Sequence, residues 1–168
     1  MTGIPAAAGA PIADVTPIVL VGEGANLAVT HLASGLASLK DVIAQAKASP
    51  GKLNYGSAGV GSAPHITGAL LEKSLGVRMT HVPYRGTAQA VNDLIASHVD
   101  MMFLELSAAT ELAAAGRARI LAIAAKERVA SMPDVPTLGE RGYAIESLAW
   151  NALAAPPKTP PMIVARIN

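Results

Sequence analysis

Two rhythms of apolar and polar positions alternate along this chain. Short runs rich in branched residues predict strands, and apolar positions three and four apart predict helices. Pro17-Ile18-Val19-Leu20-Val21 is such a run; Gly22 and Gly24 interrupt it, and Asn26 to Thr30 resumes it. A helix begins at Ser38, with Leu39, Val42, Ile43 and Ala46 on one face. Ser38 and Asp41 fit a capping box, and Pro50-Gly51 ends the helix.

The alternation then becomes regular. Leu53 to Gly56 predicts a strand and Pro64 to Leu75 a helix that Gly76 stops. Met79 to Val82 predicts a strand, and Thr87 to Ala96 a helix with Ala88, Val91 and Ile95 inward. Val99 to Leu104 predicts a strand, the stretch from about Ala108 to Ala115 a helix closed by Gly116, and Ile120 to Ala124 a further strand. Strands alternating with helices of this length predict an α/β fold, a mostly parallel sheet with helices on both faces. After Lys126 the pattern loosens. Ser131 to Gly142 reads as a loop with one short helix, Glu146 to Ala154 as extended chain, and Pro156 to Pro161 as a stiff connector into a two-turn helix over Met162 to Ile167. The expected organisation is a flexible lead-in over residues 1–13, one α/β lobe over 14–155, and a connector with a short helix over 156–168.

The chain has 168 residues, of which 51% are apolar but only 3% aromatic and 15% charged. That length suits one domain with its own core. A formal charge of +1 with no Lys/Arg cluster, and few aromatics for base stacking, argues against a nucleic-acid partner. The absence of cysteine excludes disulfides, thiolate zinc sites and a cysteine nucleophile. The four histidines, His31, His65, His81 and His98, lack paired metal-ligand spacing. No apolar run approaches the roughly 20 residues of a membrane helix. The first residues lack the basic start and continuous apolar core of an export signal.

Candidate chemistry concentrates where loops leave the carboxyl ends of strands. The richest loop is Ser57-Ala58-Gly59-Val60-Gly61-Ser62, followed by Ala63-Pro64-His65. Its glycines permit close backbone approach, its serines supply hydroxyls, and the next helix turns its free N–H groups and positive dipole end toward it. Such a loop suits a carboxylate or phosphate; it reads equally as a tight strand-to-helix turn without a ligand. A second loop, Tyr84-Arg85-Gly86-Thr87, offers Arg85 for an anion and Thr87 as a helix cap. A third presents Glu105, as a hydrogen-bond acceptor or a solvated carboxylate. An enzyme reading, a small hydrolase-like α/β protein using the Gly/Ser loop as an anion site, is weakened by spacing. Pro64 breaks G-x-G-x-x-G, and Tyr55 stands where a nucleophile elbow needs its first glycine.

Several stretches taken together carry a resemblance. Pro50 to Ser62, Pro64-His65, His81-Val82-Pro83-Tyr84-Arg85-Gly86-Thr87, Val99-Asp100-Met101-Met102-Phe103 and Met132-Pro133-Asp134-Val135-Pro136-Thr137 stand in one order and spacing. In that set the chain resembles the Bug-type receptors, the substrate-binding proteins of tripartite tricarboxylate transporters, from about Val15 to Asn168. The resemblance implies one lobe of a type II periplasmic-binding-protein-like fold, with no catalysis, cofactor or metal. It implies a small mono- or dicarboxylate held partly by backbone amides, membrane transporter components as partners, and a periplasmic location. It assigns ligand contact to Ser57 through Ser62, and places Tyr84 to Thr87 on the cleft. What is matched is mainly the second lobe, without the first lobe and the C-terminal helices. Self-association through the surface those parts would cover is a further expectation. The chain departs from the family pattern at Leu104-Glu105, where Asp-Asn is common, and at Val60, where Asn is common.

Overall fold

The computed structural model describes residues 15–168; the lead-in expected over residues 1–13 lies outside them. The elements run β1 (Thr16–His31), α1 (Leu39–Ala48), β2 (Asn54–Ser57), α2 (Ala63–Leu75), β3 (Thr80–Pro83), α3 (Thr87–Ile95), β4 (Met101–Glu105), α4 (Leu106–Ala114), β5 (Ala118–Ile123), β6 (Leu148–Ala155) and α5 (Pro161–Ile167). Short 3-10 turns cover Leu32–Ser34 and Gly139–Arg141.

Contacts group the chain into two compact units. One is Gly24–Ala149; the other joins residues 15–23 with Trp150–Asn168, so β1 and β6 each run through both. In the larger unit the sheet order is β3-β2-β4-β1-β5. β2 lies parallel to β3 and β4, whereas β1 runs antiparallel to β4 and to β5. Four strands therefore share one direction and a single reversed strand sits among them. The break expected at Gly22 and Gly24 does not occur, because β1 continues from Thr16 to His31.

The period-2 alternation of β1 decides which layer each side chain joins. Ala25, Leu27 and Val29 pack with Ala90 and Leu94 of α3 and Ala109 of α4. Ala28, on the opposite face, packs with Leu39 and Val42 of α1 and Leu71 of α2. β4 is buried on both sides: Met101 and Phe103 enter the α1–α2 layer, Met102 and Leu104 the α3–α4 layer. Asn54 and Asp100 lock the starts of β2 and β4 together, each accepting the other's backbone N–H at 2.8 Å.

Local signals explain most helix ends. Ser38 accepts from the Asp41 N–H at 3.4 Å, while the Asp41 carboxylate accepts from Ser38 Oγ at 2.8 Å and from the Ala37 N–H at 3.0 Å. Helix α2 closes on Gly76 at φ 61°, with the Val77 N–H reaching back to the Glu72 carbonyl at 3.1 Å. Three expectations need correction. Ala90 and Leu94 are the buried residues of α3, with Val91 packed against the same core as expected; Ala88 is exposed and Ile95 only partly buried. Thr87 is the first residue of α3, and no side chain caps that end. Helix α4 starts at Leu106, directly from the strand.

The smaller unit pairs β1 with β6, and none of its described residues is buried. Val21 and Met162 there are more than 70% exposed. A two-stranded ribbon of this kind is marginal by itself in water.

Candidate functional site

The parallel strands β3, β2 and β4 bring three loops to one carboxyl edge. The Ser57–Ser62 loop leaves β2, Tyr84–Thr87 follows β3, and Glu105 ends β4. The first two touch: the Tyr84 N–H donates to the Ser57 carbonyl at 3.0 Å. Gly59 sits at φ 131°, and a Cβ built there would stand 3.4 Å from the Tyr84 carbonyl oxygen. Gly61 sits at φ 82°. Side chains are disfavoured at both torsions, which is why glycine alternates here.

The serine hydroxyls turn into the loop. Ser57 is fully buried, its Oγ 2.6 Å from His81 Nε2 and 3.1 Å from the Gly59 carbonyl, while accepting the Gly59 N–H at 3.1 Å. Ser62 Oγ donates to the same carbonyl at 2.7 Å. The Gly61 N–H donates to His65 Nδ1 at 3.0 Å. Four backbone N–H groups in this stretch have no acceptor among the described residues: Ala58, Val60, Ala63 and His65. The last two belong to the first turn of α2, where Pro64 contributes none and the helix dipole is positive. The donors offered by the loop are thus main-chain groups.

Behind the loop stands a cluster whose centre sequence reasoning did not single out. His81 stacks on His65, ring centroids 4.1 Å apart at 24°, and on Tyr55 at 5.0 Å and 30°. The available signal was register: in a parallel pair Tyr55 falls opposite His81. Burial and the neighbouring His65 hold His81 below the usual imidazole range. Ser57 with His81 has the spacing of a nucleophile and its base, but a hydroxyl sealed inside the loop has no approach for a substrate.

A second network reaches the same helix. Asn26 Nδ2 donates to Ser147 Oγ at 3.1 Å and to the Ser147 carbonyl at 3.3 Å. Ser147 Oγ shares a 2.5 Å hydrogen bond with Thr67 Oγ1, which also donates to the Ala63 carbonyl at 2.7 Å. Asn26, whose Oδ1 is buried without a partner among the described residues, is thereby linked to the first turn of α2. Neither Asn26 nor Ser147 belongs to a motif the sequence offered.

The remaining candidates are placed as follows. Tyr84 donates to Asp93 Oδ2 at 2.6 Å and is half-buried, Arg85 is exposed, and Glu105 is exposed at the N-cap of α4 without a side-chain cap bond. A cavity of about 520 Å³ opens elsewhere in the larger unit, between the first turn of α1, β5 and the loop carrying Val135 and Tyr143.

Burial, with Glu72 adding to it, pushes the Tyr55 phenol up to about 12; burial and the hydrogen bond to Asp93 do the same for Tyr84. A phenol whose pKa rises on folding adds stability that is fully present below its unfolded value near 10 and is lost as pH climbs through about 12. Urea midpoints are therefore expected to fall between pH 10 and 12, and Tyr55→Phe should flatten the part of that fall due to Tyr55. A variant as pH-sensitive as the parent would refute this.

The fold and the loop define an α/β unit with main-chain donors at the carboxyl edge of its parallel strands. The model of the tripartite tricarboxylate transporter family receptor matches residues 6–168, and the chain belongs to that family. It is 33% identical to Protein BugT of Bordetella pertussis over 92% of this chain and 48% of that protein. It is 35% identical to a UPF0065 protein in the gbd 5' region of Cupriavidus necator, over 94% of this chain and 48% of that one. Among solved structures it is similar to an R. palustris protein with adipate (32% identity, TM-score 0.90, 95% of this chain and 54% of that one). MatC from Rhodopseudomonas palustris with bound malate is similar at 31% identity and TM-score 0.88, over 95% and 55%. The periplasmic binding protein BugD is similar at 30% and 0.87, over 95% and 54%. The chain thus spans about half the length of the relatives it matches.

Proposed function

We propose that this chain is one lobe of a periplasmic receptor for a small mono- or dicarboxylate, which hands its ligand to membrane transporter components and makes or breaks no bond. The observation that carries the reading is the set of four N–H groups without a partner among the described residues, at Ala58, Val60, Ala63 and His65, on the carboxyl edge of the parallel strands. Adipate and malate, held by the similar R. palustris proteins, are the natural probes. The Tyr84–Thr87 loop, touching Ser57, extends the surface on which such a ligand rests. Hydroxyl attack by Ser57 plays no part, since its Oγ is engaged inside the loop.

A dipole at an open, wet surface is worth only about 0.3–1 kcal/mol. Calorimetric titration of the chain with adipate or malate is therefore expected to give binding no tighter than roughly millimolar. Amide resonances of Ala58, Val60, Ala63 and His65 should shift as either acid is added. A submicromolar constant would overturn the half-site reading, and shifts confined to residues outside the loop would overturn the carboxylate grip itself.

A further inference from the structure

Holding a carboxylate does not require two stacked histidines, yet the loop is built around them. One backbone donor of the Gly/Ser loop, the Gly61 N–H, is already spent on His65 Nδ1 at 3.0 Å. An imidazole nitrogen accepts a hydrogen bond only while it carries no proton. The Gly61 contact is therefore confined to His65 with Nδ1 bare, and protonation at that atom removes the acceptor. Stacking on His81 at 4.1 Å, with His81 itself held by Ser57 Oγ at 2.6 Å, fixes the ring that takes this N–H.

We propose that His65 is a proton-linked positioning residue: bare Nδ1 retains the Gly61 N–H, and a proton arriving at Nδ1 releases that N–H for an incoming carboxylate. The second half of this statement rests on the carboxylate reading of the loop. The balance is simple. His65 keeps its Nε2 hydrogen, gains one proton from solvent at Nδ1 and becomes a cation, and the only bond given up is the hydrogen bond from Gly61.

The ionisable groups around the pair come from α2 and β2. Glu72 of α2 acts on His81 by favouring its charged form, while His65 disfavours it. Tyr55 of β2 stacks on His81 and directs its hydroxyl toward Glu72 at 3.5 Å. Two cations in stacked rings repel, so a proton on one ring disfavours a proton on the other. Burial lowers the proton affinity of His81.

Linkage then gives the direction. A carboxylate that takes the Gly61 N–H leaves Nδ1 free to accept a proton and attracts the resulting cation, so anion binding takes up a proton. Reciprocally, binding tightens as pH falls and Nδ1 gains its proton, by at most about tenfold per pH unit for one linked proton. Below about pH 5 the ligand's own carboxylates begin to protonate and the gain ends.

The test is a nuclear magnetic resonance pH titration of the whole chain between pH 8 and 5, following the Gly61 amide and the ring resonances of His65. The expected result is an inflection of the Gly61 amide at the same pH as His65. In His65→Gln, whose side-chain oxygen accepts but does not titrate, that inflection should be absent. A Gly61 amide that stays flat while the parent's His65 titrates overturns the proposal, as does an inflection of equal size in the variant. Repeating the titration with adipate separates the two layers. If Gly61 follows His65 but adipate moves neither, the carboxylate reading fails and the release of Gly61 by a proton stands.

Discussion

Tyr55→Ala is expected to destabilise the larger unit by about 3–5 kcal/mol, the range for removing a large buried aromatic side chain. Only 1% of Tyr55 is exposed, and its ring serves three neighbours: the α1–α2 core, the His81 ring at 5.0 Å, and the backbone of α2 at Gly68. Chemical denaturation would show a lower midpoint with little change in slope. Because His81 loses one stacking face, the resonances of His65 and Gly61 should also move. A cost below about 1 kcal/mol would mean that α2 settles onto β2 without the ring.

Gly68→Ala is the second large effect, and its sign opposes helix propensity. In an exposed helix interior, replacing glycine with alanine gains about 1 kcal/mol. At Gly68, however, the added Cβ would overlap the Tyr55 ring, so helix and strand must part or the tyrosine must leave its rotamer. Overpacking of this kind costs about 1–3 kcal/mol. The two substitutions share one contact and are expected to be non-additive: Gly68→Ala in a Tyr55→Ala background should recover the ordinary alanine gain. A double variant that simply adds the two losses would show that the clash lies elsewhere.

These two residues mark what was legible in the sequence. Capping and stop signals are local, so Ser38 with Asp41, and Gly76, read correctly from the chain alone. The alternation of strand and helix, and the α/β class with it, depends only on period and length. The reversed direction of β1 is a pairing fact that no local pattern carries. Neither is the inward face of α3 local: Val91 packs on the core as its spacing suggests, but whether Ala88 or Ala90 turns inward beside it is decided by the sheet. At the site, the Gly/Ser loop was visible because glycine and serine advertise backbone freedom and hydrogen bonding. His81 and Tyr55 were hidden, since their meeting follows from the register of two strands 26 residues apart in sequence. Ser147 was hidden more deeply: it meets Thr67 across 80 residues.

The reversed strand also bears on how the molecule comes into being. β1 is synthesised before both strands that flank it in the larger unit, β4 and β5; Asn26 waits for Glu105, and Leu27 for Ile123. Pairings so distant in sequence close their loops late and slow the search for the native arrangement. Meanwhile the α2 anion loop and its neighbour β3 assemble from a contiguous stretch of about 30 residues, Asn54 to Pro83. During synthesis, the piece proposed to grip the ligand therefore takes shape before the reversed strand has β4 and β5 to lie against.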